Sequence, residues 1–201
     1  GTRREGVLSA RGALIGLPKV GGHSIIVDIG GGSTEAIRET DTGFLFRGVP
    51  WGASKATAAW FGDGQAKRRR THADLIDEAD AVLHGLPGWN RAHDYRLVGI
   101  GGTIVTLAAL QTRHRRLDPK KLHGRELTRT WLERTATRLA GLSQPQIERL
   151  IPFDPKRARV ITAGTFLWTG VLNRFDVDRV TVSARGLRWG VADHLVEHRP
   201  I

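Results

Sequence analysis

Two acids bracket a run of glycines and hydroxyls in Asp28-Ile29-Gly30-Gly31-Gly32-Ser33-Thr34-Glu35. Glycine permits positive φ and lets a ligand approach the backbone. Gly30, Gly31 and Gly32 are therefore expected to turn several N–H groups towards one anion, with the Ser33 and Thr34 hydroxyls beside them. Phosphate is the natural guest. Asp28 and Glu35 then flank a phosphate-sized hole, where carboxylates hold Mg2+ directly or through water, or orient an attacking water. Just upstream, Ile25, Ile26, Val27 and Ile29 are apolar on both faces, as a buried central strand requires. Asp28 is thus an acid at the end of a core strand, expensive unless a cation meets it. The plainer reading is a tight hairpin whose acid caps the turn.

A second cradle is written in Gly99-Ile100-Gly101-Gly102-Thr103, where a short apolar strand from Tyr95 runs straight into helical residues 104–110. The free N–H groups and positive dipole end of that helix lie over whatever Gly101, Gly102 and Thr103 touch. Taken alone, a Gly-Gly-Thr at a helix start is weak evidence, because caps favour such residues anyway.

Two cradles need elements to hold them. Apolar spacing predicts a helix over residues 5–17, ending near Pro18, before the strand that carries Asp28. Alternation through Ala36, Ile37 and Glu39, the turn Asp41-Thr42-Gly43 and residues 44–49 then predict an antiparallel meander. The glycine loop is accordingly a hairpin tip and not the strand-to-helix entry of a Walker loop. Helices follow over 53–61 and 74–86, the latter stopped by Pro87-Gly88, with a basic loop over 62–71 between them. Later, Ala158, Ile161, Thr165, Trp168, Leu172 and Phe175 repeat at three and four, one stripe of a long helix packed on the sheet. Val180 and Val182 supply a last strand, and residues 187–196 a final helix. Ser183 and Arg185 at that strand's end either face the ligand crevice or serve as a helix cap and surface charge.

Composition sets limits without naming an activity. The 201 residues are 40% hydrophobic and 25% charged, which suits one sizeable α/β domain, and no stretch approaches a membrane span. With no cysteine there is no disulfide, thiolate nucleophile or zinc-thiolate site, as expected of a cytoplasmic protein. His84 and His93 have no second ligand at helical spacing. The 31 Lys and Arg exceed the 20 Asp and Glu, giving a formal charge of +11 that draws polyanions. Nucleic acid is disfavoured, because Lys67-Arg68-Arg69-Arg70 and Arg113-His114-Arg115-Arg116 carry no interleaved aromatics to stack bases. A polyphosphate needs the charge and no stacking.

The words Asp28 to Glu35 and Gly99 to Thr103 resemble those of the exopolyphosphatases and guanosine pentaphosphate phosphatases, the Ppx/GppA family of the actin-like ATPase (ribonuclease-H-like) superfamily. The resemblance continues through Leu122-His123-Gly124, the helix from Arg157 to Phe175 and Val182-Ser183-Ala184-Arg185-Gly186-Leu187-Arg188-Trp189-Gly190, covering most of the chain from Gly12 to Leu195. It implies a mixed five-stranded sheet flanked by helices, with residues 1–201 forming one lobe. Family members have two such lobes. The chain, which also lacks methionine, is expected to be the second of them without the first.

The implied activity is Mg2+-dependent release of terminal phosphate from inorganic polyphosphate, guanosine pentaphosphate or both, and a homodimer is expected of the full-length protein. Gly30 to Thr34 and Gly101 to Thr103 bind phosphate in this reading, and Asp28 and Glu35 hold the metal or the water. Aligned through Gly12-Ala13-Leu14, the family's general base falls on Glu5. Its neighbours Arg3, Arg4, Gly6 and Val7 depart from the family word Ser-Gly-x-Glu-Glu-Ala-Arg. Two rival classes remain: an ATPase or kinase of the same superfamily, and a non-catalytic polyphosphate- or nucleotide-binding regulatory module.

Overall fold

The computed structural model describes residues 3–20, 22–62, 71–87, 89, 95–112 and 116–197. The basic runs Lys67-Arg68-Arg69-Arg70 and Arg113-His114-Arg115, together with Gly88 and His93, lie outside the described residues.

Helix α1 (Arg3–Leu14) leads into β1 (His23–Ile29), whose Ile25, Ile26 and Val27 are buried on both faces. Tight turns return the chain as β2 (Thr34–Thr40) and β3 (Gly43–Val49), the antiparallel meander expected. Helices α2 (Ala53–Phe61) and α3 (His72–Leu83) precede β4 (Tyr95–Ile100), which runs parallel to β1, and α4 (Gly102–Gln111) leaves β4 directly. The remainder is α5 (Pro119–Leu122), β5 (Glu126–Thr128), α6 (Arg129–Ala140), α7 (Gln144–Leu150), α8 (Pro155–Ala158), α9 (Ile161–Arg174), β6 (Arg179–Val182) and α10 (Leu187–Glu197).

Among the described residues the strands form one mixed sheet in the order β3-β2-β1-β4-β6-β5, six strands where five were expected. The extra strand, β5, has three residues and pairs antiparallel with β6. Only its Leu127 is buried, so it is too short to show an alternation. The helix expected over 157–175 is two helices, α8 and α9, separated by Arg159 and Val160. Helix α9 is buried on every side from Ala163 to Leu172, because α2, α3, α4 and α6 all pack on it.

Alternation along β1 feeds two cores. Ile25, Val27 and Ile29 join Phe166 and Trp168 of α9, whereas Ile26 meets Ile37, Val98 and Ile100 beneath Ala10 and Ala13 of α1. Helix α1 is therefore fixed to the face opposite α9, and α10 packs beside it. Their backbones touch through glycine. A Cβ on Gly190 would stand 1.8 Å from the Leu8 carbonyl oxygen, and one on Gly12 would stand 2.1 Å from that of Gly186. Among the described residues, no helix is long and apolar enough to cross a membrane.

Candidate active site

Asp28 and Glu35 are direct partners in the β1–β2 register, so their side chains leave the same face of the sheet. That face is the one covered by α1. As a result Glu5, in the first turn of α1, shares a cleft of about 610 Å³ with both acids, walled further by Arg3, Gly6, Ser9, Gly48 and Ile100. Burial, reinforced by the Glu35 charge and opposed by Arg157, pushes the Asp28 carboxyl up to about 6.

The glycine loop is built around the start of α2. The carbonyl of Gly30 accepts from the Ala53 N–H (2.8 Å), that of Gly31 accepts from Ser54 (2.9 Å) and Lys55 (3.0 Å), and the Gly30 N–H donates to Ser33 O at 2.9 Å. Loop carbonyls thus cap the helix. The N–H groups of Gly31, Gly32 and Ser33 have no protein acceptor among the described residues. Glycine permits positive φ, but none of Gly30, Gly31 and Gly32 adopts it; among the described glycines it occurs at Gly16, Gly43, Gly101 and Gly124. Close approach is the reason for glycine here: a Cβ on Gly31 would stand 3.0 Å from Ser54 Oγ, and one on Gly52 would stand 2.5 Å from Gly30 O. Beside Gly32 the space is open.

The hydroxyls assigned to phosphate from the sequence are engaged elsewhere. Thr34 is fully buried and its Oγ1 donates to the Trp51 carbonyl at 2.7 Å, while Ser33 Oγ donates to Glu35. Ser33 therefore orients an acid, and Thr34 pins the loop to the chain ahead of α2. Thr103 is also fully buried; its methyl lies where a Cβ on Gly164 would go, and its hydroxyl has no hydrogen-bond partner among the described residues. What Thr34 can offer an anion is confined to its backbone.

Gly101 turns β4 into α4 with φ 88°, and a Cβ there would stand 2.4 Å from Asp28 Oδ1. The second cradle thus abuts the first through Asp28. The opening N–H groups of α4, from Gly102 onward, lack intrahelical acceptors and carry the positive dipole end.

The sequence reading did not place Arg157 in the site. Its guanidinium lies over Gly102, where a Cβ would come within 2.3 Å of Nη2, and Asp154 holds it from behind at 3.8 Å. Nothing in local spacing reports this contact, since it joins α8 to the start of α4 across the fold. Replacing Arg157 by Gln should move the Asp28 titration upward from about 6 in metal-free protein, followed by carboxyl-carbon NMR. An unchanged midpoint would mean that Asp28 does not feel the guanidinium.

Ser183 and Arg185 serve the frame. Arg185 donates to Ile15 O at 2.8 Å and lies 4.2 Å over the Trp189 ring, tying the end of α1 to α10. The Ser183 hydroxyl donates to Arg185 O and accepts from its N–H, closing the turn between β6 and α10, with His123 at 3.3 Å.

The described residues contain no cluster of three or more His, Asp or Glu side chains able to cage a metal. Two carboxylates on one sheet face are nonetheless the donor set that suits Mg2+, which keeps several waters and completes its shell with phosphate oxygens.

Comparison with known proteins agrees with this architecture. The profile of the Ppx/GppA phosphatase family matches residues 1–199. Exopolyphosphatase 2 of Mycobacterium tuberculosis is 27% identical over 208 residues, which cover 94% of this chain and 60% of that protein. The Aquifex aeolicus PPX-GPPA enzyme superposes with a TM-score of 0.79 at 28% identity, over 94% of this chain and 62% of the other. An exopolyphosphatase from Cytophaga hutchinsonii, 22% identical with a TM-score of 0.75, shares the fold over 98% of this chain and 64% of its own. The fold is the actin-like ATPase fold expected from the sequence. The chain spans about three-fifths of the length of the relatives it matches.

Proposed function

The chain belongs to the Ppx/GppA phosphatase family, and from that premise we propose that it carries the catalytic acids of a phosphoanhydride hydrolase that releases terminal phosphate from inorganic polyphosphate, guanosine pentaphosphate or both. One observation carries the reading: Glu5, Asp28 and Glu35, from three different elements, meet in one cleft beside two backbone anion cradles.

Catalysis of phosphoryl transfer is mostly positioning and charge neutralisation. The N–H groups of the loop at 31–33 and those opening α4 take the non-bridging oxygens of the terminal phosphoryl group, with the Arg157 guanidinium beside Gly102. Glu5 accepts a proton from water as the water oxygen attacks phosphorus in line. The bridging P–O bond breaks, and orthophosphate leaves together with a chain one phosphate shorter. Asp28 and Glu35 would hold Mg2+, which when bound neutralises charge on the phosphate oxygens. Ser33, donating to Glu35, fixes that carboxylate's direction. A cytoplasmic location and a homodimer of the full-length protein belong to the same proposal.

The second reading, a binding module without turnover, draws on the chain's spanning three-fifths of its relatives. Phosphate release from long-chain polyphosphate and guanosine pentaphosphate separates the two. Full-length protein should turn over, this chain alone should bind with little release, and Glu5→Gln should lower kcat about 100-fold or more with KM nearly unchanged. Wild-type rates in Glu5→Gln would remove the base from the mechanism.

A further inference from the structure

Three carboxylates wall the cleft, and a polyanion entering it needs cations that the two cradles do not supply beyond the terminal phosphate. Two arginines line the cleft, Arg3 and Arg47. Arg47 pairs with Ala36 in the β2–β3 register, on the face away from Glu35, and its Nη1 curls back to the Phe46 carbonyl at 2.8 Å. Arg3 is different. At 3.6 residues per turn, Glu5, Ser9, Gly6 and Arg3 fall in that order across one face of α1, the face the cleft reports. Glu5 and Arg3 stand at its two edges. Arg3 is exposed and makes no hydrogen bond or ion pair among the described residues, so its charge is available to a ligand.

We infer that Arg3 is a specificity-determining residue that grips an inner phosphate of a linear substrate while its neighbour Glu5 faces the terminal one. The inference rests on the proposed hydrolase cleft and goes beyond it. It names the residue, two positions from the base, through which the cleft tells a third linked phosphate from a second. Arg157 cannot substitute, because it lies over Gly102 at the second cradle.

The test is equilibrium binding by titration calorimetry of this chain with pyrophosphate, tripolyphosphate and long-chain polyphosphate. Arg3→Gln should weaken tripolyphosphate and longer chains about tenfold and leave pyrophosphate within about twofold. Arg3→Lys should recover most of the loss, and the salt dependence of long-chain binding should fall by about one charge in Arg3→Gln. An equal loss for pyrophosphate, or no loss for any ligand, would overturn the inference. Wild-type chain that binds none of the three would overturn the hydrolase reading itself, and Arg3's role with it.

Discussion

Replacing Asp28 by Asn should make the protein more stable and, in the full-length enzyme, about a thousandfold slower. Both effects have one cause. Asp28 is held at the end of a core strand, opposite Glu35, with its pKa raised from 3.8 to about 6 chiefly by burial. An acid whose folded-state pKa is raised costs stability once it ionises. The cost is absent below about pH 4, grows between about pH 4 and pH 6, and is complete above. That displacement corresponds to about 3 kcal/mol; because the residue is only half-buried and the cleft admits water, about 2 kcal/mol is the expected gain near neutral pH. Urea unfolding of metal-free wild type and Asp28→Asn should therefore coincide near pH 4 and diverge above pH 6, the variant being the more stable. A variant less stable at neutral pH would mean that Asp28 is structural. Unchanged turnover would remove it from the chemistry.

The second large effect is expected far from the acids, at Gly190. A methyl there meets the Leu8 carbonyl oxygen at 1.8 Å, and no rotamer relieves a clash between two backbones. Gly190→Ala should cost about 3 kcal/mol, lowering Tm by roughly 6–12 °C for a chain of this size. Helix α1 must move to accommodate it, and α1 carries Glu5. Residual activity at a temperature where the variant is folded should consequently fall in kcat more than in KM, since the glycine loop and the start of α4 hang on other elements. A Tm within about 2 °C of wild type would show that the two helices are not in the contact described.

Much of this frame is legible in the residues, for identifiable reasons. Ile25, Ile26, Val27 and Ile29 can only be a strand buried on both faces, and that strand is β1 at the middle of the sheet. Helix α2 falls on residues 53–61 as read, and the turn at Asp41-Thr42 joins β2 to β3. Helices α6 and α7 were legible and went unread: Leu132, Ala136 and Leu139 keep helical spacing, and Ser143 with Gln146 forms a capping box. Strand β5 was not legible, because three residues with one buried leucine carry no period.

The site divides the same way. The glycine word marks a cradle, but a threonine's sequence position does not say whether its hydroxyl or its methyl faces the ligand. Thr34 and Thr103 both turn inward. Gly30, Gly31 and Gly32 permit positive φ, but none of them adopts it; Gly31 lies close to Ser54 of α2, whereas beside Gly32 the space is open. Glu5 was placed by family resemblance alone, twenty-odd residues before Asp28. It reaches the cleft because α1 lies across the face towards which the β1–β2 register points both acids. Arg157 and its place over Gly102 belong to the tertiary fold, where no local pattern could report them.

A crystal structure of the protein bound to tripolyphosphate and Mg2+ tests the central claim most directly. The terminal phosphoryl oxygens should lie within hydrogen-bond distance of the backbone N–H groups at 31–33 and of those opening α4, with the metal between Asp28 and Glu35 and a water between Glu5 and phosphorus. A phosphate chain seated elsewhere, or touching one cradle while the other faces solvent, would contradict the shared-cleft account.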